Sequence, residues 1–434
     1  MEAGGNLKRQ FGLWTAVALL VGQVIAVGIF LTPAGMAKAV GSPFWLLLIW
    51  LLLGAMTLSG ALCYAELAAR FPEAGGSYVY LREIWGRPVA FLYGWMDLLV
   101  LDPGLTATFA VGATKYLVYL VPLGPAAQKL VGIGLILVLG TVNILGARIG
   151  ANVFKALTVV KIGTLVLIIL YGFLGGFGNW DNFRPFFAAP AGGGGAVAGG
   201  LVLAFFAFAG WWEVTRMAGE VENPGKNLPR ALSLGIAAIT VLYVATSAVF
   251  MYLVPLGRVA DDQTFAAQAG AVLFGPAGGA VFAGIVVLSV LVTMFAYLLV
   301  SPRVYFAMAR DGLFFRSFGR LHPRFGTPHR ATLVQMTLAV VLVLTGTFEQ
   351  IIGYFFFVVV FFIALTAAGI FRLRKTAGNG YRTPFYPATP LFFLVVTGFV
   401  LLMIALRDPV ASFCGVAVVL AGLPVYYLVL GSKN

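Results

Sequence analysis

The chain has 434 residues, of which 61% are apolar and 10% are charged, and its mean hydropathy is +0.99. So little polar surface cannot cover a water-soluble globule of this length, which excludes a water-soluble fold and leaves lipid as the expected solvent. The formal net charge of +13 is high enough to suggest a nucleic-acid ligand. The basic residues are distributed among the breaks between apolar segments, however, so no role in nucleic-acid binding is expected.

Apolar segments of sufficient length to cross a bilayer follow one another along the chain with short polar breaks. They predict an all-α membrane protein of about 12 transmembrane helices. Aromatic residues near the span ends, among them Tyr64, Trp180 and Tyr252, are expected in interfacial belts. The predicted spans are residues 11 to 38, 43 to 69, 88 to 120, 127 to 146, 151 to 176, 197 to 219, 229 to 254, 270 to 309, 330 to 347, 350 to 371, 389 to 406 and 410 to 430.

Lysine and arginine concentrate in alternate loops of this topology. The loops on the side of the N-terminus hold most of the 28 basic residues, and the loop between spans eight and nine is the richest in them. An excess of Lys and Arg marks cytoplasmic loops. We therefore predict that the N- and C-termini are both cytoplasmic, which agrees with an even number of spans.

Two of the predicted spans are interrupted by glycine. The first contains GQVIAVGIF at residues 22–30, followed by Pro33, and the sixth contains FFAFAGWWE at residues 205–213. Unwound backbone in the membrane is tolerated only where it lines a cavity, so interrupted helices in two halves of a chain indicate a transporter site. Freed N–H groups suit a carboxylate and freed carbonyls suit an ammonium, a combination that favours a zwitterionic amino acid. The alternative is that these glycines are close-packing points between helices.

Longer motifs accompany these interruptions. The sixth span contains FAFAGW at residues 206–211, which leads to GEVENP at 219–224 and NLPRA at 227–231, and the eighth ends in YFAMARDGLFF at 305–315. In these motifs and in residues 22–33 the chain resembles the amino acid-polyamine-organocation (APC) transporter superfamily. Within it, the chain is most similar to the L-type amino acid transporter branch and its bacterial relatives, and the resemblance covers nearly the whole length.

The resemblance implies a five-plus-five inverted-repeat (LeuT-like) fold in which helices 1 and 6 are broken. The ten-helix core would occupy residues 1–372, with repeats at about 11–176 and 197–371, and two appended helices would follow in residues 373–434. The implied location is the cytoplasmic membrane of a prokaryote. The implied function is sodium-independent amino acid transport by alternating access, as exchange or uptake of neutral L-amino acids.

The resemblance also implies a substrate site at the two breaks. The substrate carboxylate would meet backbone N–H groups of the first break, the ammonium would meet carbonyls of both, and Phe206 would be an aromatic gate. In the family pattern Gly and Ser commonly stand where this chain has Ala26 and Val27, so a hydroxyl contact to the carboxylate is missing. The implied site residues are Val24, Ile25, Ala26, Val27, Gly28, Phe206, Ala207 and Ala209.

Lys161 lies within the fifth span, too deep to reach an interface easily. In related transporters a lysine here takes the place of a sodium ion, and the resemblance therefore implies that transport does not need sodium. Desolvation favours the neutral amine, which leaves a proton-carrier role open. A structural ammonium bonded to carbonyls of the first span is the other interpretation, and the two are compatible.

Three acidic residues fall in or beside the predicted site. Asp97 and Asp102 in the third span are five residues apart and are not expected to share one helical stripe. Asp102 could hold a cationic substrate side chain, titrate, or pair with a nearby Lys or Arg. Glu213 could cap the second break, contact substrate, or pair with Arg216. These acidic residues favour an alternative function, that of a proton-coupled carrier of cationic amino acids or polyamines.

Other acidic residues lie at predicted cytoplasmic span ends, close to basic ones. They can form plain surface pairs or salt bridges of an inner gate. The acidic residues are Glu66, Glu220 and Glu222, and the basic ones are Arg70, Arg216 and Arg230.

Neither enzyme nor channel chemistry is indicated. The sequence contains no HExxH or GxSxG motif, and no ring of charge suggests a selectivity filter. No cofactor and no metal site are expected. The two cysteines, Cys63 and Cys414, both lie in apolar segments, so no disulfide-linked partner is expected. Whether a small membrane partner binds is left open.

Overall fold

The computed structural model describes residues 7–26, 28–190, 192–259, 265–346, 348–375 and 380–430. Over these residues every regular element is a helix, apart from one isolated bridge between Phe11 and Val221, and turns and irregular segments connect the helices. Helices satisfy the backbone N–H and C=O groups internally, which a lipid environment requires. The confirmed fold class is therefore an all-helical membrane protein.

Eighteen α-helices account for most of the described chain. In chain order they are α1 (Leu13–Val24), α2 (Gly28–Val40), α3 (Pro43–Arg70), α4 (Ser77–Trp85), α5 (Arg87–Met96), α6 (Asp102–Leu117), α7 (Pro125–Ile144), α8 (Ala147–Leu174), α9 (Gly193–Phe208), α10 (Pro224–Leu253), α11 (Phe265–Phe274), α12 (Gly278–Val300), α13 (Pro302–Arg310), α14 (His329–Thr345), α15 (Phe348–Leu373), α16 (Ala388–Arg407), α17 (Pro409–Leu420) and α18 (Gly422–Val425).

Within the described ranges, ten helical stretches are long and apolar enough to cross a membrane, and the bent pair α1 and α2 brings the number to 11. Helix α14 is apolar but shorter, and it occupies the segment predicted as the ninth span. The predicted first span is therefore two helices that meet at an angle of 47°. Ile25 ends α1 with φ −73° and ψ 84°, and Val27 lies outside the described residues.

The second predicted break is also present. Helix α9 ends at Phe208, Ala209 is extended, and Gly210 adopts the left-handed conformation with φ 95°, which glycine tolerates without steric cost. The chain then continues as a 3-10 helix over Trp211–Met217. This irregular backbone lies beside α1, α3, α12 and α13 rather than facing lipid alone.

The third span contains a turn that the sequence did not predict. Between α5 and α6 the chain forms a π-helical segment over Asp97–Leu101, in which the N–H of Asp102 bonds to the carbonyl of Asp97. A π turn brings residues i and i+5 into line, whereas an α-helix separates them. The expectation that Asp97 and Asp102 do not share a stripe is therefore wrong, because both carboxylates contact the same guanidinium of Arg216.

The two broken spans lie at the centre of the bundle. Helix α1 packs against α8, α10 and α12, and α2 packs against α9. Two of the aromatic residues expected at interfaces are instead internal, since Tyr64 is fully buried against Tyr80 and Trp211, and Tyr252 is 6% exposed. Trp180 is exposed, as an interfacial position requires.

Candidate functional site

The two helix breaks touch each other through their backbones. A Cβ atom placed on Gly28 would lie 2.9 Å from the Cα of Ala207, so no larger residue fits there without a shift. Buried Tyr243 of α10 bridges the two segments, because its hydroxyl lies 3.1 Å from the carbonyl oxygen of Val24 and 2.8 Å from that of Ala207. The hydroxyl has one proton and donates to one carbonyl at a time.

The first break presents both polarities of the backbone. Helix α2 begins at Gly28, so the N–H groups of its first turn have no partner within the helix and carry the positive end of its dipole. On the other side, α1 ends with the carbonyls of Ile25 and Ala26, which lie 3.2 and 3.5 Å from the hydroxyl of Ser289. An anion suits the first set of groups and a cation suits the second.

Lys161 reaches the end of α1 from α8. Its Nζ donates to the carbonyl oxygens of Gly22 and Ser289, both at 3.1 Å, and to the hydroxyl of Thr293 at 3.2 Å. Thr293 also donates to the Gly22 carbonyl at 3.0 Å. The ammonium is 3% exposed and so joins α1, α8 and α12 inside the bundle.

Phe206 is an exposed side chain of the second break. It is 46% exposed, and its ring stacks on Phe356 of α15 with the centroids 3.7 Å apart and the planes inclined by 15°. Ala207 is buried and Ala209 is half-buried beside it. The structure thus brings Val24, Ile25, Ala26, Gly28 and Ala207 together, with Phe206 and Ala209 adjacent.

A buried ionic cluster lies beyond the second break, on the side of the 3-10 helix. We call Asp97, Asp102, Glu213 and Arg216 the Arg216 cluster. Arg216 donates to Asp97 at 2.7 Å and to both oxygens of Asp102 at 3.0 and 3.2 Å, and its Nε lies 2.6 Å from Glu213. None of the four side chains is more than 1% exposed.

Tyrosines complete the Arg216 cluster. Arg216 also donates to the hydroxyl of Tyr93 at 2.9 Å, and Tyr305 of α13 donates to Asp102 at 2.6 Å. Of the three roles considered for Asp102, pairing with an arginine is the one that the structure shows. The pairing of Glu213 with Arg216 is likewise present.

At one end of the bundle the N–H groups of Gln10 and Phe11 bond to the carbonyl of Glu220, and we call this the N-terminal end. Two further ionic layers lie between the Arg216 cluster and this end. In the first of them, buried Glu220 pairs with Arg303 at 2.8 Å and not with Arg216. A separate ion pair, which we do not count among the layers, joins Glu66 to Arg374 at 2.8 Å, and Glu66 does not pair with Arg70. Each carboxylate therefore finds its partner on a span distant in sequence.

The outermost layer lines a pocket of about 550 Å³ at the N-terminal end, bordered by Arg9, Glu73, Arg82 and Asp311. Arg82 binds Asp311 and also Glu73 at 3.0 Å, and Tyr78 donates to Asp311 at 2.7 Å. Burial and the Asp311 carboxylate raise the pKa of Tyr78 above its ordinary value, so Tyr78 remains a hydrogen-bond donor.

Sequence reasoning missed several residues of the site. Tyr243, Ser289 and Thr293 contact the backbone of the first break but stand in ordinary apolar spans. One signal was available, since Ser289 and Thr293 are four residues apart and so lie on one face of α12. Arg216 was considered as a partner for Glu213 and as one of the basic residues beside Glu220. It was not assigned to Asp97 or Asp102, because those two aspartates belong to the third span.

The chain is similar to known proteins over its whole length. It is 30% identical over 430 residues to the serine/threonine exchanger SteT of Bacillus subtilis (strain 168), with 97% of each chain covered. It is 30% identical over 443 residues to the Asc-type amino acid transporter 1 of Mus musculus, covering 97% of this chain and 81% of that protein. It is 31% identical over 448 residues to the large neutral amino acids transporter small subunit 2 of Homo sapiens, covering 98% and 81%.

The sequence profile described as amino acid permease matches residues 11–430, nearly the full chain. Together with the two broken spans, this match identifies the chain as a member of the amino acid permease (APC) family, and so as a membrane transporter of amino acids rather than an enzyme.

Proposed function

We propose that this transporter exchanges neutral L-amino acids without sodium, by alternating access. The observation that carries the proposal is the contact between the two breaks, where free N–H groups of α2 and carbonyls of α1 and α9 lie within one small region. An amino acid carries both charges at this short spacing. A peptide separates its two charges further, and a sugar or an inorganic ion does not carry the pair.

In this proposal the carboxylate binds at the start of α2, at Gly28 and the N–H groups that follow it. The ammonium binds carbonyls of the two breaks, including Ile25, Ala26 and Phe206. Ala209 lies beside the substrate side chain, and Phe206 closes the site by moving on Phe356. Val27 belongs to the proposed site as part of the first break.

The contacts of Lys161 support independence from sodium. Its ammonium already contacts two carbonyls and one hydroxyl at the end of α1, which are the oxygen ligands that a small cation would need. A fixed positive charge here stabilises the C-terminal end of α1, the negative end of its helix dipole, in the way that a bound ion would.

The hydrogen bonds that Asp102 already accepts favour neutral substrates over cationic ones. This carboxylate accepts hydrogen bonds from Arg216 and Tyr305 and is fully buried, so it is not available to a lysine or arginine substrate. The named relatives point the same way, since SteT is called a serine/threonine exchanger and the human relative a transporter of large neutral amino acids.

The proposed architecture is the ten-helix core in residues 1–372, as two inverted repeats, with two appended helices in residues 373–434. We place the N-terminal end, with both termini, on the cytoplasmic side of a prokaryotic inner membrane, as the distribution of Lys and Arg favours. The three ionic layers then close the cytoplasmic path in this conformation, and exchange requires them to separate.

A second candidate is a proton-coupled carrier of cationic amino acids or polyamines. It is favoured by one observation, the excess of carboxylates over cations in the Arg216 cluster. In that case the cationic side chain would replace Arg216 as the partner of a carboxylate, and Asp102→Asn would abolish uptake of lysine and arginine.

The test is uptake into sodium-free proteoliposomes of labelled serine, alanine, leucine, lysine and arginine, with and without the same unlabelled amino acid inside. We expect neutral amino acids to accumulate only when the vesicles are preloaded, and sodium to have no effect. Uptake restricted to lysine and arginine would support the second candidate, and uptake of none of the five would contradict both.

A further inference from the structure

The Arg216 cluster holds more negative than positive groups. Its three carboxylates and one guanidinium would carry a formal charge of −2 if all were ionised, although the four side chains are at most 1% exposed. Among the residues that the structure describes, Arg216 is the one cation paired with these carboxylates. Unpaired charge is costly to bury, so the cluster must gain positive charge or bind a proton.

The groups that face the cluster from neighbouring helices cannot supply that charge. In the described part of the chain these groups are tyrosines. Tyr93 and Tyr305 are in hydrogen-bonding contact with the cluster, Tyr64 and Tyr297 lie close by on α3 and α12, and Tyr80 of α4 bonds to Thr215 beside Arg216. Helix α1, which packs on the 3-10 helix, contains no charged residue. Neutral tyrosines donate or accept hydrogen bonds but leave the net charge unchanged.

The hydrogen bonds distinguish the three carboxyl groups. Asp102 accepts two bonds from Arg216 and one from Tyr305, and Asp97 accepts one from Arg216 on a single oxygen. Glu213 lies 2.6 Å from the Nε of Arg216 without the alignment of a hydrogen bond, and the side chain of Trp212 is the other donor beside its carboxyl group. Because hydrogen bonds received by a carboxylate favour its ionised form, Glu213 is the group best suited to be neutral.

We propose that the Glu213 carboxyl binds a proton in the conformation closed at the N-terminal end, and that this proton is released when that end opens. The O–H bond of Glu213 breaks as water reaches the cluster, the proton passes to that water, and the reverse transfer accompanies closure. Closure with an ionised Glu213 would bury an unpaired charge, so the proton and the closed conformation stabilise each other.

Proton occupancy can be measured without transport, by infrared spectroscopy of the purified protein in heavy water. A carboxylic acid has a C=O stretching band that ionised carboxylates lack. We expect this band near neutral pH in the wild type and its loss in Glu213→Gln. The matched control is Glu220→Gln, which removes an equally buried carboxylate that has its own arginine, and which should keep the band.

The wild type alone can also assign the band. Glutamate carrying ¹³C at the side-chain carboxyl should shift the band, and labelled aspartate should not, so the assignment holds even if Glu213→Gln fails to fold. A wild type without the band, or a band that shifts only with labelled aspartate, would overturn the proposal. So would a band that persists in Glu213→Gln.

A second readout rests on the proposed exchange function. Because protonation favours the closed conformation, we expect exchange to be roughly tenfold slower near about pH 5 than near about pH 8. Glutamine in place of Glu213 cannot titrate and should flatten this profile. Glu66→Gln, whose carboxylate pairs with Arg374 outside the three ionic layers, should retain it. Failure of exchange in the wild type would refute the proposed function and leave the infrared result to decide the proton site. Exchange that is equally fast at both pH values would overturn the link between the proton and opening.

Discussion

Gly28 and Ala207 show how little space separates the two broken spans. Their backbones approach so closely that a single added methyl group has no room. The value of glycine at this position is therefore steric, and it can be tested without altering any polar group of the site.

We expect Gly28→Ala to reduce exchange at least about tenfold, because the new Cβ would push the two breaks apart and misplace the groups that bind substrate. The measurement is counterflow of a labelled neutral amino acid in proteoliposomes. Gly134→Ala is the control, since a Cβ there meets nothing within 4 Å and alanine favours the helix. Equal activity of the two variants would contradict the steric account.

Tyr243 offers a second test at the scale of one atom. Removing its hydroxyl in Tyr243→Phe leaves the buried carbonyls of Val24 and Ala207 without this donor, at a cost of about 1–3 kcal/mol. We expect slower exchange and a lower melting temperature in detergent. Tyr171→Phe, in which the replaced ring is 46% exposed, should change neither. A Tyr243→Phe protein with unchanged stability would show that the bridge does not hold the breaks together.

At the residue scale, much of the site could be predicted, because glycine, proline and a charged residue within an apolar segment can be recognised from the local sequence. The two breaks and Lys161 were identified from such signals, whereas Phe206 and the individual site residues were implied by the resemblance to the APC superfamily. Tyr243 was not, because a tyrosine in an apolar span has no feature that distinguishes a bridge between backbones from an interfacial anchor. Its role depends on two segments that the sequence separates by many residues.

At the scale of elements, Lys161 joins helices α1, α8 and α12. The ammonium donates to carbonyls of α1 and α12, so it fixes the end of the first broken helix against two scaffold helices. A helix end fixed by one charged side chain can be released by removing that side chain.

We therefore expect Lys161→Met to lose at least about tenfold in exchange rate, because the buried carbonyl of Gly22 loses a charged donor. Lys155→Met on the same helix removes an exposed lysine and is the matched control. Both variants are measured in sodium-free buffer and again with sodium. Normal exchange by Lys161→Met in sodium-free buffer would contradict the role of Lys161.

The elements themselves were largely predictable, since hydropathy marks spans and glycine marks breaks. The π-helical turn between α5 and α6 was not, because residues 97–102 read as ordinary apolar helix between two aspartates. The turn brings both carboxylates to Arg216, which belongs to a different span. No local pattern encodes that partner, and for the same reason Glu220 and Glu66 were predicted with the wrong arginines.

In the proposed mechanism, the three ionic layers determine which end of the whole molecule is closed. Each layer joins helices from distant parts of the chain, so the closed end depends on charges that are paired only when the bundle is assembled. The innermost layer, the Arg216 cluster, depends most on its single cation, because one arginine pairs with three carboxylates.

We expect Arg216→Met to lower the free energy of unfolding by about 3–5 kcal/mol, because it leaves buried carboxylates without their cation. Thermal unfolding in detergent measures the effect. The control is Arg184→Met, which breaks an ion pair whose two side chains are 83% and 68% exposed and should change stability little. Similar melting temperatures for the two variants would show that the cluster does not stabilise the closed bundle.

The central claim is that backbone groups of the two breaks recognise both charged ends of a neutral amino acid. The most direct test is competition against exchange of labelled alanine in sodium-free proteoliposomes by unlabelled alanine, alanine amide and N-acetylalanine. We predict that alanine competes and that the two derivatives do not, because the amide lacks the carboxylate for α2 and the acetyl compound lacks the ammonium for the carbonyls. Competition by either derivative as strong as that of alanine would contradict recognition at the breaks.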